Sequence, residues 1–294
     1  MKQVQMYLVD AFTNKTFSGN MAGVVANAEG LTDIEMQQIA SEINASETAF
    51  LIKEIADLYL IRYFTPTTEI DFCGHATVAA SYIIGLNDGF LKPIQLKTKV
   101  GVVPIEFNIV DGKLSGVMMT QVEPRVKPFT GSKSDLLSIL GLKDEDYDER
   151  YPVKIAYTGN DDILLPIKTR EKIDEAKPNM LKLKEHNQKF GVASTHLFTF
   201  ETLDEDFLLY TRDFSPAVGI EEDLVTGSAN GALAGYLVLE GIVSKDENTY
   251  KIMQGNGKNR IGELMIKTTF DNGKVKVQVG GDAVISISGM IHIG

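Results

Sequence analysis

Cysteine is almost missing from this chain: Cys73 is the only one in 294 residues. No disulfide can form within the chain, and no multi-cysteine metal site is available. Histidine is scarce as well, and His75, His186, His196 and His292 are scattered without ligand spacing. A metal would need carboxylates from unrelated places, so none is expected. Positive charge is in deficit, with 29 Lys and Arg against 40 Asp and Glu and a net charge of −11. That balance works against nucleic acid or an anionic membrane as a partner. No apolar run is long enough to cross a bilayer, and Met1-Lys2-Gln3-Val4-Gln5-Met6 enters a strand-like pattern directly instead of building a signal peptide. A cytoplasmic protein is expected. Familiar site motifs are absent too. Gly255-Asn256-Gly257-Lys258-Asn259-Arg260 has neither the spacing nor the Ser/Thr of a P-loop, and it does not follow the GxGxxG pattern. Thr226-Gly227-Ser228-Ala229-Asn230 places Asn where a GxSxG elbow needs its second Gly. Nucleotide, nicotinamide and acyl-enzyme chemistry are not indicated, and no cofactor is expected.

What is present is one design written twice. Arg62-Tyr63-Phe64-Thr65-Pro66, continuing through Asp71-Phe72-Cys73-Gly74-His75-Ala76-Thr77, returns as Arg212-Asp213-Phe214-Ser215-Pro216, continuing through Asp223-Leu224-Val225-Thr226-Gly227-Ser228-Ala229-Asn230. The two Arg are 150 residues apart and the two Gly, 74 and 227, are 153 apart. Upstream, Ser46-Glu47-Thr48-Ala49-Phe50 matches Ser194-Thr195-His196-Leu197-Phe198 at an offset of 148, and downstream Asp111-Gly112-Lys113-Leu114 resembles Asn272-Gly273-Lys274-Val275. So long a period rules out a solenoid and predicts two similar halves, with a site expected in the crevice they share.

The periodicity predicts strands over 4–10 and 22–26, a helix opened by the Thr32–Glu35 capping box and ending near Asn44, strands over 49–52 and 58–64, and a helix from Gly74. Strands over 94–97, 102–109 and 114–119 complete the first half, residues 1–122. The passage 121–150 carries Pro124, Pro128 and a short helix over 134–140. The second half, residues 123–282, repeats the plan with a hairpin over 153–158 and 163–169, one charged helix over 171–189, and strands over 192–200 and 207–214. It continues with a helix over 226–240 stopped by Gly241, and strands around 251, 265 and 277. The last strand, 283–294, is expected to complete the first half. The fold class is α+β, with mostly antiparallel sheets and two central helices.

Each copy puts a Gly with small neighbours at a helix start, Gly74-His75-Ala76 and Gly227-Ser228-Ala229. Free N–H groups and the positive end of the helix dipole make such a start fit for an anion, so a carboxylate-bearing small molecule is the expected ligand. The same small residues also suit close packing of the helix inside a sheet. The copies differ in their acid/base groups: Glu47 stands opposite Thr195, and His75 opposite Ser228. Partial burial of Glu47 at a strand edge is expected to raise its pKa toward that of a proton shuttle, although a carboxylate at a strand end can be merely solvated and His75 can be a satisfied loop histidine. Asp71 and Asp223 precede the two Gly and can cap the helices or reach a ligand. His186 reads as solvated, and His196 and His292 as structural.

At these residues the chain resembles the phenazine-biosynthesis PhzF-like family of the diaminopimelate epimerase-like fold. The matching pieces are Val9-Asp10-Ala11-Phe12, Gly19-Asn20, Ser46-Glu47-Thr48, Arg62 to Pro66, Cys73 to Thr77, Glu222 to Ala229, Gln254-Gly255 with Arg260, and Gly280-Gly281-Asp282-Ala283-Val284. The resemblance implies two pseudo-symmetric domains, each a curved sheet round a central helix. It also implies a cofactor-free isomerase and often a homodimer. By the same resemblance Glu47 is the acid/base, His75, Asp223 and Ser228 bind or orient the substrate, and Gly74, Gly227, Asn20 and Ser46 contact it. In the family's named member the substrate is a dihydro-hydroxyanthranilate; Leu224 stands where some members have Pro. Epimerases and racemases of this fold use two thiols, one from each half, and the second half here has none, so a two-thiol racemase is excluded. An isomerase moving a proton through Glu47 is the leading expectation. A non-catalytic binding protein on the same scaffold, or a racemase pairing Glu47 with Asp223, is the alternative.

Overall fold

Strand follows strand with few interruptions in the computed structural model, which describes residues 2–89, 92–255 and 260–294. The first elements are β1 (Lys2–Ala11), β2 (Asn20–Val25), α1 (Asp33–Ile43), β3 (Thr48–Ile55), β4 (Leu58–Phe64), β5 (Glu69–Ile70), α2 (Gly74–Asp88), β6 (Ile94–Thr98), β7 (Gly101–Val110) and β8 (Lys113–Thr120). Next come β9 (Arg125–Pro128), α3 (Lys133–Ile139), β10 (Lys154–Tyr157), β11 (Asp161–Pro166), α4 (Arg170–Glu175), α5 (Met180–Phe190), β12 (Ser194–Thr199), β13 (Phe207–Ser215) and β14 (Ile220–Asp223). The chain finishes with α6 (Gly227–Leu239), β15 (Asn248–Gln254), β16 (Gly262–Asp271), β17 (Lys274–Gly281) and β18 (Ala283–Ile293). One unit runs to Thr120 and resumes at Gly280; the other spans Gln121–Val279.

The internal repeat is visible in the strand pairing. In the first unit β1–β2 is antiparallel, β2–β3 parallel, β3–β4 antiparallel, β4–β6 parallel and β6–β7 antiparallel. In the second, β10–β11, β11–β12, β12–β13, β13–β15 and β15–β16 take the same senses in the same order. Each parallel step needs a crossover, and helices provide it: α1 and α2 in one unit, α4 with α5 and then α6 in the other. Each unit's opening strand is flanked antiparallel by one more, β18 on β1 and β9 on β10. The two DG/NG sequences form matching turns, with φ of 50° and 72° at Asp111 and Gly112 and 51° and 80° at Asn272 and Gly273. Two successive left-handed residues suit the twist of a tight hairpin.

The central helices are apolar all round, so each is enclosed rather than laid on a surface. In α2 nearly every residue from His75 to Gly85 is buried, and in α6 nearly every one from Gly227 to Val238. Small residues let the sheets close in. A Cβ on Gly85 would stand 2.9 Å from Leu114 Cδ2, and one on Gly235 2.3 Å from Pro124 Cβ.

The repeated Arg staples each sheet to the loop that delivers its central helix. Arg62 Nε and Nη2 donate to the two oxygens of Glu69 at 2.7 and 3.0 Å, and Arg212 donates in the same fork to Glu222 at 2.7 and 2.9 Å. Each guanidinium also lies over the Phe two residues later, Phe64 at 5.1 Å and Phe214 at 4.8 Å. The sequence reading missed β5 and β14, the short strands that carry or adjoin these Glu, because two to four residues leave too little periodicity to read.

Two further expectations are corrected. The single helix over 171–189 is two, α4 and α5, because Pro178 lacks an N–H and its ring clashes with a continuing helix. The passage 121–150 is not only a connection: Arg125–Pro128 is a strand paired with β10, its terminal Pro tolerated at a sheet edge. Asn256 to Asn259, in the glycine-lysine run, lie outside the described residues.

Unit two also holds a buried polar cluster. Ser194 Oγ lies 2.9 Å from Asp162 Oδ1 and 2.7 Å from Asp213 Oδ1, while His196 Nδ1 and Ser215 Oγ lie 2.9 and 2.5 Å from Asp213. One hydroxyl hydrogen cannot serve two carboxylates. Burial, then the charge on Asp213, pushes the Asp162 carboxyl well above its ordinary range, which favours its neutral form. Because the folded state raises this pKa, stability falls as pH rises from the carboxyl's unfolded value toward its folded one. Asp162→Asn, neutral at every pH, should flatten that slope and denature at higher urea than wild type at neutral pH. Parallel pH profiles of the two midpoints would contradict this assignment.

Candidate active site

The ends of two helices bring the acid/base groups of the first unit together. Asn44, left-handed at φ 53°, stops α1. The chain then turns through Ala45 and Ser46 to Glu47, whose carbonyl accepts a hydrogen bond from Gly23 N–H at 2.9 Å before β3 begins. On the other side, Cys73 is extended at φ −146° and serves as the N-cap of α2, so Gly74 and His75 open the helix. Sequence separation of 26 residues or more between Glu47 and the other two thus vanishes in space. His75 Nε2 is 3.1 Å from Glu47 Oε2. Cys73 Sγ is 3.5 Å from His75 Nδ1 and 3.8 Å from Nε2, and Ser46 Oγ is 3.4 Å from Nε2. Glu47, Cys73 and His75 are each 8% exposed.

Burial by itself raises the Glu47 carboxyl, as the sequence suggested, but His75, Ser46 and Cys73 together outweigh it and hold the carboxyl below its ordinary value. This corrects the expected direction of the shift. Burial works against the imidazolium of His75, whereas the Cys73 sulfur and the Glu47 carboxylate work for it, and the balance lies well above the ordinary histidine value. Burial pushes the Cys73 thiol up, opposed by His75. A carboxyl held low, an imidazole held high and a thiol pushed up therefore share one buried cluster.

Helix starts separate into two groups. Thr32, Ser132, Thr169 and Asn179 cap α1, α3, α4 and α5 with side-chain hydrogen bonds, but neither α2 nor α6 receives one from its N-cap residue. At Gly74 no close packing requires glycine, since a Cβ there would meet only Met119 Cε at 3.8 Å. Asp71 does not cap α2; it is exposed, with Lys99 Nζ 3.9 Å away. Asn20, first residue of β2, is buried and pairs with Ala11.

In the second unit Asp223 ends β14 and its Oδ2 accepts from Thr226 Oγ1 at 2.7 Å. Gln254, fully buried, organises this turn: its Oε1 accepts from Thr226 N–H and Asn230 Nδ2 at 3.0 and 2.5 Å, and its Nε2 donates to Thr226 Oγ1 and the Asp223 carbonyl at 3.0 and 3.1 Å. Gly227 opens α6, and the Ser228 carbonyl accepts from Thr158 Oγ1 at 2.8 Å. Of the other histidines, His196 is buried against Asp213, His292 lies 3.2 Å from Gln3 Nε2, and His186 packs beside Phe129 and Phe190.

The family model described as phenazine biosynthesis-like protein matches residues 9–289. The chain belongs to the PhzF family. It is 37% identical to the uncharacterized isomerase YfhB of Bacillus subtilis over the whole of both chains. It is 34% identical to a Bacillus anthracis phenazine biosynthesis protein of the PhzF family, whose crystal structure superposes with a TM-score of 0.90 over all of both chains. A Pseudomonas aeruginosa protein described as a predicted epimerase is 24% identical, with a TM-score of 0.80 over 99% of this chain and 100% of that one; at that identity the likeness shows the fold alone. The PhzF-family chain thus has the α+β, diaminopimelate epimerase-like fold.

Sequence reasoning used Cys73 to exclude a disulfide, a multi-cysteine metal site and a two-thiol racemase and as part of a family motif, and passed over its contact with His75. The Cys-x-His spacing at a helix start was the available signal. Gln254, Thr226 and Asn230 were quoted as motif letters with no role, since their mutual hydrogen bonds join distant segments.

Proposed function

We propose that this PhzF-family protein is a cofactor-independent isomerase that moves a proton within a small carboxylate-bearing cyclic or unsaturated metabolite. The observation that carries the reading is the buried Glu47–His75 pair at 3.1 Å beside the uncapped start of α2. The names of its isomerase relatives support the class of reaction. Glu47, held as a carboxylate, removes a proton from carbon, and the electron pair delocalises toward the substrate's oxygen or π system. The N–H groups opening α2 and the His75 imidazolium stabilise that charge, each worth most in a site from which water is displaced. The Glu47 carboxylic acid then returns the proton to another carbon of the same molecule, so base and acid are one group in two states. Gly74 leaves space for a ligand atom to approach the helix start. Asn20 and Ser46, and in the second unit Asp223, Gly227 and Ser228, are proposed substrate contacts by family resemblance.

The test is proton NMR in deuterated water with a panel of small cyclic and unsaturated carboxylates. Deuterium entering a carbon position of one ligand in the presence of protein would support the reading and name the substrate class. Ligands that bind without any exchange would replace it by a binding function.

A further inference from the structure

We propose that Glu47, Cys73 and His75 form a binding site for a thiophilic divalent cation, zinc above all, and that its occupancy shuts off proton transfer. The metal site stands on geometry alone; the consequence for turnover rests on the function proposed above. One sulfur, one imidazole nitrogen and one carboxylate oxygen lie within 4.8 Å of one another. Such ligands at the corners of a zinc tetrahedron stand about 3.4–3.6 Å apart, given Zn–S near 2.3 Å and Zn–N and Zn–O near 2.1 Å. The Nε2–Oε2 and Nε2–Sγ distances here, 3.1 and 3.8 Å, bracket that range, and the sulfur–carboxylate pair lies within 4.8 Å, so side-chain adjustment within the cluster brings the three donors onto one ion.

A second observation points the same way. Glu47 Oε2 is buried and accepts no hydrogen bond of good geometry among the described residues, its approach to His75 being a charge contact only. A buried carboxylate oxygen held only by that charge contact keeps a lone pair for a metal cation that takes the imidazolium's place. The donor set is the kind zinc prefers: one soft thiolate with a borderline imidazole and a carboxylate. Three protein ligands leave a fourth position for water or the carboxylate of a substrate.

On binding, Cys73 releases its thiol proton and His75 its imidazolium proton to solvent, and sulfur and nitrogen lone pairs go to the metal. Glu47 commits an oxygen to the same ion. The proposed base and its charge-stabilising partner are then both consumed, so a chain carrying the metal cannot perform the proton transfer proposed for it.

The lone cysteine makes the test unambiguous. The full-length chain, stripped with EDTA, is titrated with Co²⁺ and its near-ultraviolet absorption followed for the thiolate-to-cobalt charge-transfer band. Only Cys73 can supply that band. It should saturate at one equivalent per chain, be displaced by Zn²⁺, and vanish in Cys73→Ser. In Glu47→Gln, which keeps the thiol, the band should persist at an affinity about 10-fold or more weaker. A folded wild-type chain showing no band at saturating Co²⁺, or Cys73→Ser binding Co²⁺ as tightly as wild type, would overturn the site. Zn²⁺ should also abolish the deuterium exchange described above, and EDTA restore it; exchange undiminished with Zn²⁺ bound would overturn the regulatory half. A band with the expected mutant pattern, in a protein that exchanges no ligand, would support the metal site and count against the isomerase reading.

Discussion

Glu47→Gln should lower deuterium incorporation by about 10²- to 10⁴-fold, the range that one positioned acid/base group contributes. Gln preserves the size of the side chain and an oxygen facing His75 but can neither accept nor return a proton. Ligand affinity should therefore survive while exchange is lost, a separation that a mixing experiment with direct binding measurement would show. Equal exchange by the variant and the wild type would remove Glu47 from the mechanism. The wild-type pH profile follows from the same cluster. Because the Glu47 pKa is lowered, its base form persists as pH falls and exchange declines only once pH drops through that lowered value. Because the His75 pKa is raised, the imidazolium persists as pH rises, and decline on the alkaline side begins only as pH passes the raised value. A broad plateau is expected, wider than independent Glu and His would allow.

Arg212→Ala should cost about 3–5 kcal/mol of stability. The side chain is 7% exposed and serves Glu222 and, through Nη1, the carbonyls of Ile173, Asp174 and Ala176 at 2.8, 3.2 and 3.3 Å. Truncation strands a largely buried carboxylate and helix-end carbonyls together. The counterpart Arg62→Ala, with a side chain 21% exposed and a well-solvated second partner in Asp33, should cost about 1–3 kcal/mol. Arg212→Lys should recover little, since an ammonium cannot match the two-oxygen fork. Urea denaturation of the three variants followed by circular dichroism would rank them; equal midpoints for Arg212→Ala and Arg62→Ala would mean that burial does not separate the two copies.

Local signals were enough for much of the fold. The Thr32–Glu35 capping box, the positive-φ turns at Asp111-Gly112 and Asn272-Gly273, and the Ala-rich runs after Gly74 and Gly227 act over a few residues, so their chemistry can be read from the chain. The duplication was legible for the same reason, through letters repeated at one offset. Elements set by partners were not. The strand at Arg125–Pro128 exists because β10 lies beside it, and Pro178 divides a helix whose charge pattern runs on past it.

The chain by itself determined which residue types were available: the Glu47 carboxylate after α1, the Cys73 thiol and His75 imidazole at the start of α2, and a second half without a thiol. Only the tertiary structure decided what state they take. A carboxyl at a strand edge is driven up by burial or down by neighbouring donors, and the sign depends on which group arrives within hydrogen-bonding reach. Here the end of α1 and the start of α2 bring His75 to 3.1 Å from Glu47. At that distance the neighbouring donors outweigh desolvation, and the expected upward shift of the carboxyl becomes a downward one.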